Sequence, residues 1–209
     1  YSNDTATAAL KGPLSAARYG LAATGNSSFG YFAGGNGPVS RVDRIDYSND
    51  TATASPKGPL SFGRKGLRAT GNASFGYFSC GFYYTSIVDR IDYSNDTATA
   101  AVKGPLSVAK ARAAATGNTD FGYFGGGKPT MSTVDRIDYS YDTATALAKG
   151  PLSSARYGMG ATGNASFGYF GGGRLTISTV DRIDYSNDTA TAAAKGPLSV
   201  ARSYLAATG

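Results

Sequence analysis

Four copies of a glycine-rich string are the first residues of this chain that suggest chemistry. They read FGYFAGG at 29–35, FGYFSCG at 75–81, and FGYFGGG at both 121–127 and 167–173. Glycine-rich loops cradle phosphates when their N–H groups open onto a helix N-terminus. A phosphate loop also carries a Lys-Ser/Thr pair where that helix begins. Neither the pair nor a helical pattern follows any of the four strings, so they read as structure. Their glycines suit the close approach of neighbouring backbones and a bulge at a strand end.

Catalytic chemistry is equally poorly provided for. The chain contains no His and no Glu, which leaves general acid–base work to Asp, Lys or Tyr. Thirteen of the 14 acidic residues belong to a repeated frame, whereas a catalytic pair is a single asymmetric constellation. Cys80 stands where other copies have Gly126 or Gly172 and reads as a neutral replacement. Asp4, Asp50, Asp96, Asp142 and Asp188 recur in the SND or SYD string. Each site offers fewer oxygens than the 6–8 that Ca²⁺ takes, so these aspartates read as turn residues. The expectation is a protein that is not an enzyme and has no metal site and no cofactor.

The elements that position these residues recur with them. YSNDTATA begins at Tyr1, Tyr47, Tyr93 and Tyr185, and the variant YSYDTATA begins at Tyr139, each start 46 residues after the last. KGPLS follows at Lys11, Lys57, Lys103, Lys149 and Lys195. Such periods mark stacked or ring-forming repeats, here one domain over 1–209 made of four units and 25 residues of a fifth. The chain starts inside a repeat without Met, so it reads as a piece of a longer chain, and the lack of a targeting signal carries no weight. No run approaches the roughly 20 apolar residues of a membrane helix, and no membrane span is expected.

Within one repeat, 17–25 is a short apolar segment ending in glycine (strand a). Residues 26–35 turn and then carry aromatics up to Gly34-Gly35 (strand b). Residues 42–50 alternate apolar and charged (strand c), and 51–58 alternate β-branched residues up to Gly58-Pro59 (strand d). The fold class is all-β, with four-stranded antiparallel blades. The glycine pair closing strand b, the acidic-hydrophobic VDRID at 42–46 and the Pro-to-Arg connection GPLSAAR at 12–18 resemble kelch-type repeats. That resemblance covers the whole chain and implies a β-propeller. Two positions depart from it: Ile45 replaces the usual strand-c Tyr, and Ala52 the blade Trp. The near-identity of the copies also resembles repeat regions of phage tail-fibre and environmental surface proteins.

The copies disagree mainly in two places: the b–c loops at 36–41, 82–87, 128–133 and 174–179, and the entries into strand a. In an up-and-down blade both emerge on one face. The net charge of +6 also sits largely at variable positions. Loops on a rigid scaffold are where binding concentrates, and Tyr, Arg and Lys suit stacking on sugars and pairing with anions. The candidate ligand-binding residues are Arg41, Lys65, Phe82, Tyr83, Tyr84, Lys128 and Arg174. To these is added a ring of cations at the channel mouth, Arg18, Arg64, Lys110, Arg156 and Arg202, some of which would pair with strand-c aspartates instead. Asn3, Asn26, Asn49, Asn72, Asn95, Asn164 and Asn187 fit the N-glycosylation pattern, and all lie in expected turns.

The expected function is recognition or adhesion, binding a glycan or another anionic surface, at an extracellular or virion surface. The alternative is a structural block that assembles with copies of itself in a fibre, filament or virion. Nucleic acid is not an expected partner, because no groove-reading helix is present. Strands d and a occur five times but b and c only four, so a ring of five blades would lack two strands of one blade. A longer chain supplies them, or a partner does, or four blades close with the terminal strands overlapping. Unpaired edges of that kind promote association.

Overall fold

A computed structural model describes residues 7–174 and 177–207. The first sheet is β1 (Ala22–Gly25), β2 (Phe29–Ala33), β3 (Val42–Asp46) and β4 (Ser55–Lys57). The second is β5 (Arg68–Gly71), β6 (Phe75–Ser79), β7 (Val88–Asp92) and β8 (Ala101–Lys103). The third is β9 (Ala114–Gly117), β10 (Phe121–Gly125), β11 (Val134–Asp138) and β12 (Leu147–Lys149). The fourth is β13 (Gly160–Gly163), β14 (Phe167–Gly171), β15 (Val180–Asp184) and β16 (Ala193–Lys195). Each sheet is antiparallel, with its strands adjacent in chain order. The all-β, four-strands-per-repeat expectation therefore holds, with strands shorter than the alternating pattern suggested.

The third element differs most. Strand c ends at Asp46, and Tyr47–Asn49 forms a 3-10 turn. Asp46 causes this: its carboxylate accepts from the Ser48 N–H at 2.9 Å, capping the turn where the strand would otherwise run on. The same capping holds the carboxyl below its ordinary range, chiefly through the Ser48 hydroxyl.

The sheets stand side by side, with β1 against β5, β5 against β9 and β9 against β13. Between them lie cores built to one plan. Phe78 of the second sheet, with Ile91, packs on Val42, Leu60 and Leu67. Phe124 with Ile137, and Phe170 with Ile183, repeat the arrangement. Gly34 is required at its position: its φ is +73°, and a Cβ there would lie 2.2 Å from the Leu67 side chain. Ala22, Ala114, Gly160 and their neighbours line a central cavity of about 370 Å³. Leu205, Ala206 and Ala207 line it too, so five successive copies contribute.

The SND and SYD aspartates join the sheets. Asp96 accepts from the Tyr31 hydroxyl at 2.9 Å and the Arg44 guanidinium at 2.7 Å, and Lys57 lies 3.3 Å away. All three partners belong to the preceding sheet. Asp142 and Asp188 repeat the arrangement with Tyr77, Arg90 and Lys103, and with Tyr123, Arg136 and Lys149. These are inter-sheet clasps, where the sequence suggested local turns. Beside each clasp two tyrosines stack across the sheets: Tyr31 on Tyr93 at 4.6 Å, Tyr77 on Tyr139 at 4.6 Å and Tyr123 on Tyr185 at 4.7 Å. Asp4 lies outside the described residues.

Candidate functional site

The two variable loop sets meet at one end of the sheets. The Phe82 N–H donates to the Lys65 carbonyl at 2.7 Å, Lys128 to Ala111 at 2.6 Å, and Arg174 to Tyr157 at 2.8 Å. Each bond ties a b–c loop to a segment entering strand a.

The expected ring of cations is not what the structure shows. Arg18 pairs with Asp43 at 2.7 Å, Lys110 with Asp135 at 2.8 Å, Arg156 with Asp181 at 2.9 Å, and Arg64 with Asp89. All eight side chains are buried. The first aspartate of each VDRID is fully enclosed, and a buried carboxylate requires a charged partner. These four cations supply it and leave the surface. Burial pulls the Arg64 and Arg156 guanidinium pKa values down, and their aspartate partners oppose that. Arg202, the fifth member, is exposed.

The other candidates divide. Phe82, Tyr83 and Tyr84 are exposed. With Phe62 and Lys65 they line a hollow of about 260 Å³. Lys65 Nζ lies 4.6 Å from the centre of the Phe82 ring, and Arg112 lies 4.8 Å from the same ring. Tyr83 meets Phe82 edge-on at 5.4 Å. Lys128 and Arg174 share the Tyr157 ring, at 5.2 and 5.7 Å. Arg41 is exposed and has no aromatic ring against it among the described residues.

Three contributors were absent from the candidate residues: Arg112, Tyr157 and Tyr204. Arg112 donates to the Tyr204 hydroxyl at 2.7 Å, which links the Phe82 cluster to the fifth copy. Both residues hold left-handed backbone, φ 56° and 57°. The corresponding residues Gly20, Gly66 and Gly158 have φ of 70–72°. Aligning the copies exposes that substitution. The result is an arc of alternating rings and cations across the variable loops, reaching the cavity lining at Tyr204. Such rings offer faces to sugars, and the cations offer N–H groups to carboxylate or sulfate. Within the cavity, Arg68 is the one charged residue among the described lining residues.

The opposite end carries the turns with the glycosylation pattern. Asn26 and Asn72 use their amide nitrogens to donate to Ala73 and Thr119 carbonyls, each at 3.2 Å. Asn49, Asn95, Asn164 and Asn187 are exposed. Asn3 lies outside the described residues. Cys80 is buried with φ 59°, and burial pushes its thiol up to about 11. Among the described residues no cluster of metal-ligating side chains occurs, and no helix is long and apolar enough to cross a membrane.

No protein-family model matches the chain, and no curated protein matches it significantly.

Proposed function

We propose that this chain is a kelch-like β-propeller that recognises acidic glycans without catalysis, at an extracellular or virion surface. The ligand lies on the arc formed by Lys65, Phe82, Tyr83, Tyr84, Arg112 and Tyr204. One observation carries this reading: Arg112 and Tyr204 occupy left-handed positions that other copies give to glycine. A non-glycine residue there costs about 1–2 kcal/mol, and both side chains reach into the variable face. Strain retained at a surface cluster of rings and cations points to a use for that cluster.

The test is a binding screen of neutral, carboxylated and sulfated oligosaccharides, using the native chain and a Phe82→Ala/Tyr83→Ala/Tyr84→Ala variant. Saturable binding to an acidic member, weakened at least tenfold in the variant, is the expected outcome. Failure to bind any acidic member, or equal binding by the variant, would sink the reading. A structural block of a fibre or virion is the second reading, favoured by the open wedge described next.

A further inference from the structure

The first and fourth sheets both line the central cavity, and each presents a face that is half of an inter-sheet core, the two faces forming the walls of a wedge. On the fourth sheet, Val180 is half-buried and with Leu198 and Leu205 lines a hollow of about 280 Å³. Its counterparts Val42, Val88 and Val134 are fully buried, each beneath the Phe and Ile of the next sheet. On the first sheet, Phe32 and Ile45 are half-buried. Phe78, Phe124 and Phe170 are 0 % exposed, and Ile91, Ile137 and Ile183 are buried. Tyr47 is 52 % exposed, whereas the stacked Tyr93, Tyr139 and Tyr185 are 7–9 %.

Charge follows the same pattern. Arg202 is exposed, and no carboxylate pairs with it among the described residues, although the four equivalent cations each hold a strand-c aspartate. Asp50 pairs only with Lys11 among the described residues, at 3.2 Å, whereas Asp96 also holds a tyrosine hydroxyl and an arginine. Opposite charges therefore face the wedge from its two walls.

We propose that this wedge is an acceptor for a polypeptide hairpin of the repeat's own b–c pattern, FGYF joined by a loop to VDRID. Each pattern residue meets a waiting partner. The second Phe and the Ile cover Val180, Leu198 and Leu205. The Tyr stacks on Tyr47 and, with the Arg, reaches Asp50. The first Asp of VDRID pairs with Arg202. The Val covers Phe32 and Ile45. A glycan or a nucleic acid offers no such ordered set of aromatic, aliphatic and paired charged groups. A second copy of this chain is disfavoured as occupant, because each of its own b–c hairpins already sits within a sheet. The wedge adjoins the ligand face at Tyr204 but is read by a peptide assay with no glycan present, so failure of one proposal is distinguishable from failure of the other.

The test uses the 209-residue chain and a fluorescent peptide with the sequence of residues 164–184. Anisotropy should show saturable one-to-one binding. Peptides with Ala in place of Phe170, or Arg in place of Asp181, should bind at least tenfold more weakly. The chain variant Arg202→Asp should lose the native peptide and regain the charge-reversed one. Arg202 is exposed, so this variant keeps its fold, which far-UV circular dichroism checks. Absence of saturable binding, indifference to the Phe and Asp changes, or failure of the charge swap would overturn the proposal. So would concentration-dependent dimerisation of the chain that the peptide does not compete.

Discussion

Arg112 donates a 2.7 Å hydrogen bond to the hydroxyl of Tyr204, 92 residues further along the chain. Both hold backbone angles that Gly20, Gly66 and Gly158 hold in the other copies. The pair joins the ring of Phe82 to the fifth copy, so the loops of the two form one surface. Stability and ligand affinity should therefore part company at these residues.

Arg112→Gly removes left-handed strain worth about 1–2 kcal/mol, along with a half-buried cation over an aromatic ring worth about 0.5–1 kcal/mol and a hydrogen bond to Tyr204 worth about 0.5–1.5 kcal/mol. These contributions nearly cancel, and the expected result is a melting temperature close to native. Affinity for an acidic glycan should fall about tenfold, since a hydrogen-bonded charge is also removed. A variant that melts earlier and binds unchanged would make the pair purely structural. Calorimetry and a binding titration decide it.

The buried ion pairs should behave oppositely. Arg156 and Asp181 are 2.9 Å apart and enclosed. Arg156→Ala leaves a buried carboxylate without its partner, at a cost of about 3–5 kcal/mol. Arg202→Ala, at the equivalent but exposed position, should change stability by less than about 0.5 kcal/mol. Urea midpoints of the two variants make the comparison. Equal losses would contradict the difference in burial.

Much of this was legible in the sequence, and the rest was hidden for definite reasons. The alternation in VDRID located β3, because side-chain direction has period 2 in a strand. The Asp96 clasp was missed: its partners Tyr31 and Arg44 lie 65 and 52 residues away, and nothing local marks them. The SND string looked like a turn because it does adjoin one, but the capping group is the preceding Asp46. Arg18, Arg64, Lys110 and Arg156 recur at a regular spacing, which suggested a ring. Recurrence alone does not tell a surface cation from one held beneath the loops. The position of Arg112 and Tyr204 was readable by aligning the copies, but its left-handed geometry was not.

The buried tyrosines predict an alkaline limit to the stability of the fold. Burial raises Tyr31, Tyr77, Tyr123, Tyr139 and Tyr185 above their ordinary 10.0, and Tyr93 is pushed up to about 12. Their neutral forms are favoured in the folded chain. The stability they contribute is intact below pH 10.0 and is lost as pH rises above it toward the raised values. Each contributes at most about 1.4 kcal/mol per pH unit. Unfolding followed from pH 9 to 12 should show a stability flat up to about 10 and falling steeply beyond. A decline beginning below pH 9 would mean that other groups govern it.

Cys80 is buried, and its thiol is raised to about 11 by that burial. Thiolate is the reactive form, so a disulfide reagent at pH 8 should modify it only at the rate of opening or in denaturant. Rapid modification of the native chain would show that the interior around Cys80 opens readily.

The most direct test of the recognition face is hydrogen exchange on the chain with and without a saturating acidic oligosaccharide. Protection is predicted at 82–84, 110–112, 127–128 and 156–158, with none at the opposite turns 26–28 and 47–49. Protection of those turns, or none at the loop face, would contradict the assignment of the ligand to the variable loops.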